Sequence, residues 1–305
     1  MSTTTITTEF FCKGNGVMAL PTYAIDKLFG LFQVSSLPSD DLQQPIIDAK
    51  VDPAVMTQEY KADVPSLAVV PTLEALWPDI AITRVEEQEK LSIALKTTFN
   101  GQWKMQFERS TLEFYNRDGT TLDVQSMAIY SPEKYIDGVK MFDCSEYRNS
   151  IVLSVFYDNG AKMEFIKPKT ENDINFKVIV REIVTGSKMM SHNKIEEIAI
   201  PCFDIDNKTS SLMDCLDAFP SLRDQSGTFM QRILTDQSYR AYLDKLSIAT
   251  TLHVDEKGTF FQSDLDCEVG IDRCMPVRFV LDSSFFFRVL DANETVLLTG
   301  MVKSL

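Results

Sequence analysis

Two histidines, His192 and His253, are the only side chains in 305 residues whose ordinary pKa suits them to move protons near neutrality. A serine or cysteine nucleophile needs such an imidazole within hydrogen-bond reach and a third group to orient it. His192 stands between Ser191 and Asn193 and reads as part of a polar turn; His253 lies in an alternating apolar stretch and reads as a structural strand residue. There is no G-x-G-x-x-G, no P-loop, no H-E-x-x-H and no His/Cys group at metal-ligand spacing. The run Glu86, Glu87, Glu89 reads as a solvated acidic face. The expectation is a protein that is not an enzyme, carries no metal or cofactor, and acts by binding.

Composition narrows what it binds. A formal charge of −14 neither neutralises phosphates nor favours an anionic bilayer, so nucleic acid and membrane are not expected as partners. With 44% hydrophobic residues the chain can bury a large core in one domain or two tightly joined subdomains. The opening MSTTTITTEFF lacks the basic and apolar regions of a secretory leader, and no apolar run reaches the roughly 18 residues of a membrane span. Six cysteines lie without a CxxC pair, which predicts reduced thiols and a cytoplasmic location. Cys267 and Cys274 are near enough in sequence that a disulfide could pinch the segment between them.

That segment is the centre of the chain. Leu252 to Phe279 opens with an alternating strand that stops at Gly258 and closes with a second strand beginning at Val277. Between them Thr259, Phe261, Ser263, Leu265, Cys267, Val269 and Ile271 alternate with Gln262, Asp264, Asp266, Glu268 and Asp272. A period of two can stay exposed as a loop or join a sheet with one face buried.

The flanking elements follow from local signals. Residues 1 to 16 read as a polar lead-in rather than a helix, and Pro21 starts a helix carrying Tyr23, Ile25 and Leu28 on one face. From Val34 to about Lys90 prolines recur every few residues and long helices cannot persist. Asp118-Gly119 and Asn159-Gly160 predict two hairpins, the second joining Ile151–Phe156 to Lys162–Pro168. Residues 171 to 184 predict a short surface helix, and Ser211 to Phe219 a helix capped by Ser210 or Ser211.

Val254-Asp255-Glu256-Lys257-Gly258-Thr259 resembles the hinge before the reactive-centre loop of serpins. Phe99, Gly101 and Trp103 fit that family's Phe-x-Gly-x-Trp motif. Ile198 to Ile205 looks like its pair of strands around a Pro-x-Phe, and Phe285-Phe286-Phe287 and Leu297 to Val302 are similar to its two closing strands. The resemblance is continuous from residue 91 to residue 305. It implies one α+β serpin-like domain over 1–305: a mixed fold with a large central sheet, a smaller barrel-like sheet pair and a reduced helical layer. Residues 1–90 would be a shortened N-terminal helical part, with one edge of the large sheet cut down; a complete but loop-rich subdomain is the alternative. Residues 91–305 would be the sheet core, with the reactive-loop region at 258–279. The compact, leaderless chain also resembles serpins of large DNA viruses, which implies a host protein as partner, a protease among the candidates, and roles in immune evasion or apoptosis.

In that family a protease cuts the loop, and the loop then inserts into the large sheet. Gly258 and Thr259 match the hinge, but Phe260, Phe261 and Asp264 replace the small residues that insertion favours. The polar cluster that holds the family's central strands reads Leu95 and Ile248 here, which implies a gate that has given up opening. Trp103 corresponds to the aromatic beneath the insertion point and Glu256 to a hinge residue. Counting fourteen residues on from Gly258, the scissile position falls at Asp272, preceded by Val269 and Ile271. Asp272 would suit Asp-specific proteases of the caspase or granzyme B type; Arg273 would instead suit a trypsin-like one. A third expectation is a loop permanently docked as a strand, burying Phe261, Leu265, Val269 and Ile271. The sequence therefore predicts a serpin-like binding protein with weak or no inhibitory activity, with an intracellular inhibitor that uses Asp272 as bait as the alternative.

Overall fold

The computed structural model describes residues 10–11, 16–26, 28, 56–65, 81–85, 91–99, 101–170, 178–179, 182, 188–213, 243–257 and 277–305. In chain order the strands are β1 (Val17–Leu20), β2 (Met56–Pro65), β3 (Ala81–Val85), β4 (Leu91–Phe99), β5 (Glu108–Tyr115), β6 (Thr121–Tyr130), β7 (Tyr135–Ile136), β8 (Val139–Lys140) and β9 (Phe142–Glu146). They continue as β10 (Ser150–Phe156), β11 (Lys162–Pro168), β12 (Met190–His192), β13 (Ile195–Pro201), β14 (Phe203–Ser211), β15 (Leu243–Val254), β16 (Val277–Val280), β17 (Phe285–Leu290) and β18 (Val296–Val302). The chain forms two compact units. One comprises Met1–Lys13, Leu20–Phe99 and Asp206–Thr251, the other Gly14–Ala19, Asn100–Ile205 and Leu252–Leu305.

The first unit is built on a five-stranded mixed sheet in the order β14-β15-β4-β2-β3. β15 and β4 run parallel, β4 and β2 antiparallel, and β2 and β3 parallel. The edge expected to be cut down is therefore present as β2 and β3. The prolines that exclude long helices leave room for strands: β2 lies between Pro53 and its own last residue, Pro65, and β3 follows Pro78. Residues 22–26 form the expected helix, with the Ile25 amide donating to the Pro21 carbonyl at 3.1 Å and Tyr23, Ile25 and Leu28 buried. The lead-in differs from expectation, because Phe10 and Phe11 are helical and Phe11 is buried. Burial of an aromatic ring there outweighs the weak helix propensity of its threonine-rich surroundings.

The second unit holds a seven-stranded sheet, β1-β18-β17-β11-β10-β9-β12, a four-stranded sheet, β16-β13-β6-β5, and the small hairpin β7-β8. No strand is shared between these sheets, so among the described residues no closed barrel forms. Both predicted hairpins are present, with Gly119 and Gly160 at φ of 86° and 87°, a region that glycine enters without strain. One face of the large sheet is an aromatic core in which Phe203 meets Phe285 and Phe287 at 5.8 and 5.2 Å. Gly300 makes this packing possible, since a Cβ there would lie 1.9 Å from Cζ of Phe287. The other face carries a polar row in register, Ser154, Glu164, Arg288 and Thr299, in which Arg288 pairs with the buried Glu164.

His192 is not in a turn; it ends β12, with Nε2 3.1 Å from Glu146 Oε2 on β9. β13 and β14 flank Cys202 as expected. β14 runs on through Ser211, whose Oγ accepts the Met213 amide at 3.3 Å. Of the helix expected at 171–184, residues 178, 179 and 182 are helical; its remainder, residues 214–219 and the acidic run at 86–89 lie outside the described residues.

Candidate functional site

β15 delivers the chain to the residues expected to form a hinge, and its last residues are held by side chains from three other segments. Trp103, seven-per-cent exposed, stacks on Tyr157 with ring centroids 4.3 Å apart and planes 14° apart. That stack forms because the chain after β4 is laid against the C-terminal end of β10: Trp103 bridges Tyr157, and the Lys104 amide donates to the Phe156 carbonyl at 2.9 Å. Buried indole nitrogens require an acceptor. Trp103 Nε1 donates to the Asp255 carbonyl at 2.8 Å, so this residue, expected beneath the insertion point, grips the hinge backbone directly. The Asp255 carboxylate turns back to accept the Lys257 amide at 3.0 Å, which ends the strand with a side-chain cap.

Glu256 is buried. Its Oε1 accepts Arg109 Nε from β5 at 2.5 Å, and its Oε2 is a buried oxygen without a hydrogen-bond partner. Burial alone would raise the Glu256 carboxyl, but Arg109 and the residue's own backbone amide outweigh it and hold the group below the usual carboxylate range. Cys202 lies in the same electrostatic surroundings, its thiol pushed up to about 12 by burial and then by the charges of Glu256 and Asp255. It is therefore a protonated, unreactive thiol at neutral pH. His253, one residue before the end of β15, contacts Asp204 of β14 through Nδ1 and lies 3.3 Å from Asp255 Oδ2 through Nε2.

In the five-stranded sheet, Leu95 and Ile248 are register partners across the parallel pair β4 and β15. Around them Ala94 faces Ser247, Lys96 faces Ala249 and Thr97 faces Thr250. Thr250 is buried with its hydroxyl oxygen unpartnered, and Ser247 is buried too. Because β4 and β15 share one continuous ladder, no strand lies between them. The residues expected to dock as a strand, 259–271, lie outside the described residues.

Thus Trp103 and Glu256 both act at the end of β15, while Leu95 and Ile248 are backbone register partners farther along it. Gly258, Thr259, Val269, Ile271, Asp272 and Arg273 lie outside the described residues, as do Phe261, Leu265, Cys267 and Cys274. Sequence reasoning missed Arg109 and Asp204, which sit 147 and 49 positions from their partners and carry no local signal. Among the described residues no three metal-capable side chains gather, and no helix is long and apolar enough to cross a membrane.

A parallel central strand pair, a strand leading into a hinge held by tryptophan and glutamate, and a closing aromatic hairpin define the class. The family model described as serpin (serine protease inhibitor) matches residues 79–305, and the chain belongs to the serpin family. Among curated proteins it is similar to plasminogen activator inhibitor 1 of Neovison vison, 24% identical over 228 residues, covering 72% of this chain and 55% of that protein. The same inhibitor of Bos taurus is 23% identical over 228 residues, with the same coverage. The chain thus spans about half the length of the curated relatives it matches.

Solved structures agree in fold. Arabidopsis AtSerpin1 in its native stressed conformation matches with a TM-score of 0.77 at 14% identity, over 99% of this chain and 95% of that one. Native protease nexin-1 with heparin gives 0.75 at 15% identity over 99% and 98%, and Serpin48 of the insect Tenebrio molitor 0.73 at 13% over 99% and 96%.

Proposed function

We propose that this protein, acting as one domain over residues 1–305, binds a partner protein through the region beyond β15 and does so without efficient trapping. The reading is carried by the direct pairing of β4 with β15, in which Leu95 and Ile248 occupy the register positions of the gate. A hydrogen-bonded polar cluster can exchange its contacts for those of an incoming strand, whereas an apolar pair has none to exchange. Phe260 and Phe261, directly after the hinge, support the same conclusion, because bulky side chains enter a close-packed sheet only with strain. The expected partner is a protease or another protein of the same compartment, which the cysteine spacing suggests is the cytoplasm.

The alternative is an intracellular inhibitor of Asp-specific proteases, favoured by the placing of Asp272 fourteen residues beyond Gly258. A trypsin-like protease cutting at Arg273 is the third target class, and the inhibitor names of the curated relatives support including a plasminogen activator in the test. The protein is incubated with a caspase, granzyme B and a plasminogen activator, and the products are run in SDS. Binding or simple cleavage with no covalent band supports the first reading. An SDS-resistant complex with either Asp-specific protease establishes the second, and one with the plasminogen activator overturns both.

A further inference from the structure

His253 has a carboxylate at each ring nitrogen. Nδ1 contacts Asp204 Oδ1, and Nε2 lies 3.3 Å from Asp255 Oδ2. A neutral imidazole has one N–H and one lone pair, whereas the imidazolium has two N–H donors. The neutral ring can therefore donate to one carboxylate only and must turn a lone pair on the other. Both contacts coexist only when the ring is protonated.

The position of the ring gives this proton count a consequence. Asp204 belongs to β14, the neighbour of β15 in the sheet, while Asp255 is the residue whose carbonyl accepts Trp103 Nε1 and whose side chain caps the Lys257 amide. The ring thus joins the end of β15 to β14 on one side and to the hinge turn on the other.

We propose that His253 is a proton-operated staple, closing the end of β15 onto β14 when protonated and releasing one of its two ties when neutral, so that the freedom of the residues leading into Gly258 depends on pH. Its functional consequence rests on reading the segment beyond Gly258 as a reactive loop; the staple itself rests on the ring and its two carboxylates. The charged groups around it are Asp204 from β14, Asp255 from its own chain and, acting on Asp255 from β5, Arg109. Hydrogen bonding to Asp204 raises the His253 pKa above its ordinary value near 6.5, against the opposing effect of burial and with further help from Asp255. A raised folded value means that the staple is fully present below the unfolded pKa and is lost as pH rises through the folded one. Release therefore falls on the alkaline side of 6.5.

With two histidines in the chain, ring ¹⁵N resonances of the full-length protein can be followed through a pH titration, His192→Gln making the assignment. Amide exchange at residues 252–257 is measured over the same range and corrected for intrinsic rates. Both nitrogens of His253 should be protonated at about pH 6, and protection of these amides should fall roughly two- to fivefold as the ring titrates. His253→Gln should show low protection with no pH step. A ring already neutral at about pH 6, or a His253→Gln protein that keeps the wild-type pH step, overturns the proposal. Should His253→Gln not fold, Asp204→Asn must lower the midpoint of the ring titration, and an unchanged midpoint overturns it equally. Because no protease is involved, a covalent complex that defeats the proposed function leaves this result intact.

Discussion

Two stretches of β15 are held by different physics. Around Ile248 the strand is fixed by a backbone ladder to β4, with an apolar residue facing Leu95 in register. From His253 to Lys257 it is fixed by side chains: an indole, a guanidinium, an imidazole and three carboxylates. The ladder is independent of pH and of any one side chain. The far end depends on individual groups, and the pKa shifts of two of them, His253 upward and Glu256 downward, tie it to pH. The first stretch is suited to staying closed, while the second can be loosened locally without opening the sheet.

The sharpest way to break this contrast is at Trp103. Trp103→Ala removes the stack on Tyr157 and the hydrogen bond to Asp255 together, and should cost about 3–5 kcal/mol in chemical denaturation. Trp103→Phe should keep much of that stability yet raise amide exchange at residues 254–257. Equal exchange in the two proteins would mean that the indole N–H does not secure the hinge.

The ladder end is tested by a double-mutant cycle. Leu95→Asn and Ile248→His should each destabilise, and the pair together should show a coupling of about 0.5–3 kcal/mol because the two positions face each other. Additivity within error in urea unfolding would show that the register pair does not act as a unit.

The acid limb gives a smaller effect. Glu256 has a lowered pKa in the folded protein, so its contribution is present above its ordinary value of 4.5 and is lost as pH falls through the folded one. Arg109→Ala should shrink that contribution, and the gap in thermal midpoint between it and the wild type should narrow as pH falls below 4.5. A gap that stays constant from neutrality into acid would remove the Arg109 contact as its source.

Much of this fold is legible locally. Asp118-Gly119 and Asn159-Gly160 specify their hairpins because a two-residue turn demands positive φ, and Pro21 marks the start of the helix at 22–26 because its ring sets the first helical dihedral. The strands around residue 201 and the two closing strands are legible only through the resemblance to serpins, not from their own spacing. The strands β2 and β3 were hidden because their prolines argue against helix without arguing for strand. His192 was misread for a similar reason: three residues of edge strand are too few to show a period.

What the sequence alone determined is the family and the two glycine-turn hairpins, both of which depend on residue type and near-neighbour spacing. Only the tertiary structure decided that β4 and β15 pair without an intervening strand, that Arg109 meets Glu256, and that His253 stands between Asp204 and Asp255. Those contacts join segments up to 153 positions apart, and the free energy of such pairing comes from packing and desolvation that no local window of sequence encodes.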